Sequence, residues 1–143
     1  MPSANRQEAN GQYPIANTQP NPEKMRDFRK LEIWQKGIEI VKTVYDISSH
    51  LPHTEKFGLT SQLQRAAVSI PSNIAEGCSR NSDKEFKRFL EIAIGSSFEL
   101  ETQLIIAAEL SLLPENEFES ILNRINTLQK QINSLITMLK NTG

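Results

Sequence analysis

The sequence predicts an all-α fold, an up-and-down antiparallel four-helix bundle. Three observations predict it. Apolar residues recur at helical spacing in four separate segments, short breaks rich in Pro, Gly and Ser divide them, and nowhere does a strand-like alternation stand out. Short connections force consecutive helices to run antiparallel. With 143 residues, 16.2 kDa and 38% hydrophobic side chains, the chain has room for one domain with a core of its own.

Residues 1–24 hold four of the seven prolines (Pro2, Pro14, Pro20, Pro22) and almost no large aliphatic side chain. Such a segment cannot bury enough apolar surface to offset ordering entropy and reads as a flexible tail, with Tyr13 and Ile15 too few to anchor it. The bundle is expected over 25–143, and Met25 can itself be a start site. From Leu31 to Leu51 two apolar stripes run side by side: Leu31, Trp34, Ile38, Val41, Tyr45 and Ile33, Ile40, Val44, Ile47, Leu51. At about 100° per residue their centres lie roughly 120° apart, so about half the helix is apolar. One face suits the core and the other a second contact; Ser48, Ser49 and Pro52 close the helix.

Thr54 is expected to cap the second helix, with core stripe Leu59, Leu63, Ala66, Ile70 and Ile74 and an end near Gly77. Pro71 inside it predicts a kink near Ser69 to Ser72. Ser82-Asp83-Lys84-Glu85 matches a capping box and starts the third helix, about Asp83 to Leu110, roughly 40 Å long at 1.5 Å per residue. Its seam Phe86, Leu90, Ala93, Ser97, Leu100, Leu104, Ala107 advances in steps of 4 and 3, as in packed antiparallel helices. Gly95, within the small-residue run Ala93 to Ser97, weakens a helix by about 1 kcal/mol relative to Ala, which close packing of another helix would offset. Pro114 opens the fourth helix, and Glu115, Glu117 and Glu119 suit its positive end. Phe118, Ile121, Ile125, Leu128, Ile132, Leu135 and Leu139 carry its seam to the C-terminus.

Sixteen basic and 17 acidic side chains give a net charge of −1, and the pI is near 6.1. Bulk charge therefore does not drive nucleic-acid binding; a local patch would have to. The one cysteine, Cys78, cannot form an internal disulfide, so the fold needs no oxidising compartment and a cytoplasmic location is expected. Apolar runs such as Leu104 to Ala108 are far shorter than the roughly 20 residues that cross a bilayer, and the N-terminus lacks a signal peptide's apolar stretch. No membrane association is expected.

Charge is segregated along the chain. Arg80 to Arg88 carries four bases (Arg80, Lys84, Lys87, Arg88) against two acids, whereas Glu91 to Glu119 carries seven acids and no base. Cations in the first turns of a helix oppose its dipole, so stability does not explain them. Helix N-termini attract phosphate, which makes Arg80, Lys84, Lys87 and Arg88, around Ser79 and Ser82, a candidate nucleic-acid-binding site, with Arg65 on the second helix as an extension. The alternative is a solvated face paired with Glu85 or with acids of a neighbouring subunit. His50 and His53 lie at the other end of the second helix from Cys78, roughly 30 Å away, so a Cys-His dyad is excluded. No Glu-x-x-His pair occurs, and neither a metal nor a cofactor is expected. Glu76, Glu99 and Glu101 read as structural pairs with Arg65 or with another subunit rather than as acid–base groups, and Trp34 as core.

The stretch from Phe57 to Gly77, FGLTSQLQRAAVSIPSNIAEG, together with Leu31-Glu-Ile-Trp34-Gln-Lys, Lys84-Glu-Phe-Lys-Arg-Phe-Leu90 and Ser97-Phe-Glu-Leu-Glu-Thr-Gln-Leu104, resembles the four-helix-bundle family encoded by intervening sequences within bacterial 23S ribosomal RNA genes. The resemblance runs from about Met25 to Leu113 and continues in pattern through the last helix. It implies assembly into a homopentameric ring. It also implies a relation to the accessory variability protein of diversity-generating retroelements, which is basic and binds nucleic acid and the reverse transcriptase; this chain is mildly acidic instead. The expectation is a non-enzymatic oligomer that presents its basic patch to RNA or DNA, each subunit of a ring repeating the patch. The alternative is a protein–protein interaction scaffold that captures a protein partner through its acidic end, Glu109 to Glu119.

Overall fold

A computed structural model of the protein describes residues 26–142. The expected tail, 1–24, and Met25 lie outside the described residues. The helices are α1 (Glu32–Ser48), α2 (Leu59–Cys78), α3 (Asp83–Glu109) and α4 (Glu115–Thr142), with one-turn 3-10 segments at Phe28–Lys30 and His53–Glu55 and no strand among the described residues. Each helix packs on its two neighbours round the bundle; α2 against α3 is the most extensive contact and α1 against α4 the least.

Helix starts follow local chemistry. Extended backbone at Ser82 lets its Oγ accept from Glu85 N at 3.1 Å, the first of the two capping-box bonds. The start of α2 corrects the sequence expectation. Thr54 sits inside a 3-10 turn, and α2 begins at Leu59 with Glu55 Oε1 accepting from Leu59 N at 3.4 Å. Gly58, at φ −110° and ψ −108°, lies outside the helical and extended basins, so no helix can run through it from Thr54.

The core takes Leu63, Ala66, Ala67, Ile70 and Ile74 from α2 and the full predicted seam of α3, Phe86 through Ala107. Along α4 the seam drifts. Ile121, Ile125, Leu128 and Ile132 are buried as expected, but Ile136 is buried beside a half-buried Leu135 before Leu139 returns to the core. A 3.6-residue helix falls behind a 3,4 repeat by about 20° per heptad, and a second step of four restores the register.

Two further expectations change. The second stripe of α1 is not a free face: Leu31, Ile38 and Val41 pack against the core, and Tyr45 alone is exposed. Gly95 faces open space, with nothing within 4 Å of where a Cβ would stand, so it allows no close approach within the chain. Ala93, Ser96 and Ser97 are the small residues that turn inward. Pro71 is accommodated in a continuously helical α2. It packs against Gly37 of α1, whose added Cβ would lie 3.3 Å from Pro71 Cβ.

Three polar contacts fix the registers. Ser69 and Ser96 share a hydrogen bond of 2.8 Å between α2 and α3. Gln129 Nε2 donates to Ser97 Oγ and Glu101 Oε1 at 3.1 and 3.0 Å between α4 and α3. Arg124 donates to Thr43 Oγ1 at 2.8 Å between α4 and α1.

Candidate nucleic-acid interface

Antiparallel packing gathers the start of α1, the end of α2, the start of α3 and the end of α4 at one end of the bundle. There the segment before α1 straps the α2–α3 turn. Arg26 N donates to Cys78 O at 3.1 Å, and the Arg26 guanidinium lies 4.1 Å from the centroid of Phe86 and pairs with Asp83. The strap covers Cys78. Burial pushes its thiol up to about 11 from 9.0, with nearby Arg26 working against that rise and Asp27 adding to it. Cys78 is therefore a buried, protonated thiol rather than a nucleophile.

Beyond the strap lie the predicted basic residues. Lys84 and Arg88 are exposed and Lys87 is half-buried, all on the side of α3 away from the Phe86–Leu90–Ala93 seam. None of the three makes an ion pair among the described residues, so the alternative of local pairing with Glu85 is not formed within the chain. Arg80 differs. Its guanidinium holds Glu76 at 2.9 Å and stacks 4.7 Å from the Phe89 centroid, which offsets much of its charge and directs it to the Phe89 side of α3. Arg65 is not brought into this group. It sits thirteen residues before the end of α2 at Cys78, about 20 Å along the axis from the turn that carries Arg80.

The sequence reading missed Lys30 and Lys140. Both are exposed, neither makes an ion pair among the described residues, and the topology delivers them to this same end. Up-and-down connectivity alone, which places the first helix start and the last helix end beside the α2–α3 turn, carries that signal. Arg29 is nearby but engaged, 4.6 Å from the Phe28 centroid and 3.4 Å from Asp27.

The opposite end is acidic. Glu115 and Glu117 line a cavity of about 640 Å³ with His50, Leu112 and Pro114. Within the chain, Arg65 pairs with none of Glu76, Glu99 and Glu101: Glu76 holds Arg80, and Glu101 accepts from Gln129. Trp34 is buried with its ring centroid 5.2 Å from that of Phe28, a core pairing rather than a base-stacking platform. Among the described residues no three His, Cys, Asp or Glu side chains cluster as metal ligands, and no helix is long and apolar enough to cross a membrane. What the basic end can do is attract phosphates: three cations stand free on one outward surface, near the positive end of α3.

The chain is similar to known proteins in two respects. The family model for 23S rRNA-intervening sequence proteins matches residues 29–134. The fold resembles the crystal structure of a protein with unknown function from the S23 ribosomal protein family of Bacteroides thetaiotaomicron. TM-score is 0.69 and sequence identity 25%, over 73% of this chain and 97% of that one. No curated protein matches the chain. A bundle of this topology, with a family match spanning its four helices almost to the end, means that the chain belongs to the 23S rRNA-intervening sequence protein family.

Proposed function

We propose that the protein is a non-enzymatic, self-assembling four-helix bundle that binds the phosphates of RNA or DNA through its basic end. The observation that carries this reading is the set Lys84, Lys87 and Arg88, unpaired on one outward surface at the start of α3, with Lys30 and Lys140 exposed at the same end. The cations named are suited to phosphate oxygens rather than base edges, so contacts of this kind are sequence-tolerant and salt-sensitive. A homopentamer, which the family resemblance implies, would repeat the patch five times, and the affinities of the copies would combine through a shared strand.

Titration of the purified full chain with labelled single-stranded RNA at low and moderate salt tests the reading. Retention at low salt that is strongly weakened in Lys84→Glu/Arg88→Glu is expected. No binding in the micromolar range at low salt sinks it and leaves a protein-interaction scaffold acting through the acidic end.

A further inference from the structure

Of the nine large hydrophobic side chains exposed among the described residues, five belong to α3 or its C-terminal cap: Ile92, Phe98, Ile105, Ile106 and Leu110. Together with Gly95, whose missing side chain opens onto empty space, they make an apolar outer face on one helix. Single exposed hydrophobic residues are ordinary, but several on one helix mark a contact surface. In its midst stands Glu99, exposed and in no ion pair among the described residues.

A surface of matching chemistry lies elsewhere on the same chain. Between α1 and α2 runs a groove of about 430 Å³ lined by Tyr45, Ser61, Gln64, Arg65 and Val68. Tyr45 is 47% and Val68 39% exposed, and Arg65 is the charge among them, also in no ion pair among the described residues. One surface is apolar around an unpaired carboxylate; the other sets Tyr45 and Val68, among the polar Ser61, Gln64 and Ser69, beside an unpaired guanidinium.

The two surfaces also lie at one height along the bundle. The Ser69–Ser96 hydrogen bond sets α2 and α3 in register. Arg65 is four residues from Ser69 toward the start of α2, about 6 Å of rise, and Glu99 is three residues from Ser96 toward the end of α3, about 4.5 Å. Because the helices are antiparallel, both displacements point the same way, and Arg65 and Glu99 agree in height to within about 1.5 Å. Val68 and Phe98 agree equally well. Rotation about an axis parallel to the helices changes no heights, so two different faces of one molecule can meet in a closed ring only when their partners are level; a mismatch yields a helical filament instead.

We infer that a second copy of this chain seats its α3 outer face, Ile92 to Ile106, in the α1–α2 groove, with Glu99 pairing Arg65 across the boundary. The contact rests on the self-assembly proposed above and gives Arg65 a role separate from the basic end. It is head-to-tail, so each copy offers both halves.

Light scattering on the full chain, with circular dichroism to verify helix content, tests the contact. Expected are a wild-type mass that is a multiple of 16.2 kDa, helical monomers for Arg65→Glu and for Glu99→Arg at the same concentration, and a restored multimer for the double swap Arg65→Glu/Glu99→Arg. A monomeric wild type overturns self-assembly and this contact together. A wild-type multimer that survives both single reversals overturns this contact alone, and monomeric singles that the swap does not rescue overturn the pairing of these two residues.

Discussion

Gly77 of α2 lies against Phe89 of α3 so closely that a Cβ added to the glycine would stand 2.9 Å from Phe89 Cβ and 3.0 Å from Phe86 Cδ1. Phe89 Cβ is tied to its backbone and cannot swing away, so alanine here forces the two helices apart just before the α2–α3 turn. Overpacking of this kind costs about 1–3 kcal/mol, more than the ~1 kcal/mol that alanine gains over glycine in a helix. Gly77→Ala is expected to lower stability in urea denaturation by about 1–2 kcal/mol. Gly95→Ala, made where nothing stands within 4 Å, is expected to raise it by up to about 1 kcal/mol, measured in the Glu99→Arg background so that assembly does not contribute. Equal shifts at the two glycines would contradict the packing described.

Ser48 ends α1 with 6% of its surface exposed, and its Oγ has no hydrogen-bond partner among the described residues. Burying a hydroxyl without a partner is unfavourable by about 1–3 kcal/mol. Alanine keeps the packing and removes that penalty while favouring the helix. Ser48→Ala is expected to stabilise the fold by about 1 kcal/mol, read as a rise in the urea midpoint with an unchanged slope. A loss of stability would mean that the hydroxyl is satisfied in solution.

The fold was legible because seam spacing and turn chemistry agree over most of the chain, from Phe86–Leu90–Ala93 in α3 to Ile121–Ile125–Leu128 in α4; at the start of α2 they part, because Gly58 breaks the helix that Thr54 would cap. Periodicity tells which residues share a face but not how much of that face a neighbouring helix covers. Hence the second stripe of α1 read as a second contact although Leu31, Ile38 and Val41 pack half-buried against the core of their own bundle, and Gly95 read as an inward contact although it looks out. Arg65 illustrates a related limit. The sequence offers it as an extension of the basic patch, while axial rise along α2 places it beside Tyr45 and Val68. Arg80 stands in the turn just before α3, and its engagement by Glu76 and Phe89 required three dimensions.

Cys78 makes a pH-dependent contribution whose sign follows from burial. Its thiol is held up to about 11 in the folded chain against 9.0 for an unburied one, so the folded state favours the protonated form. Below pH 9 both states carry the proton and the full stability is present. Between pH 9 and 11 the unfolded chain loses the proton first, and stability falls as pH rises. Urea denaturation across that window should therefore decline more steeply for the wild type than for Cys78→Ala; parallel curves would remove the linkage. Arg26→Ala loosens the strap over Cys78 and is expected to speed labelling by a thiol reagent at neutral pH.

Lys84, Lys87 and Arg88 set a minimum for how steeply nucleic-acid affinity should respond to salt. Each phosphate neutralised on a single strand contributes about −0.7 to the slope of log K against log salt, so three contacts per protomer give about −2, and more where one strand crosses several protomers. Lys84→Glu/Arg88→Glu removes two of the three, leaving about −0.7 per protomer with weaker binding at every salt concentration. Lys130→Glu provides the control. It changes charge equally per residue on an exposed position of α4, ten residues or about 15 Å from Lys140, and is expected to leave the slope unchanged. Fluorescence anisotropy between about 50 and 200 mM salt reads the three proteins side by side. A wild-type slope near zero would contradict phosphate contacts at this end, and a slope lowered equally by Lys130→Glu would assign binding to overall charge instead of to the start of α3.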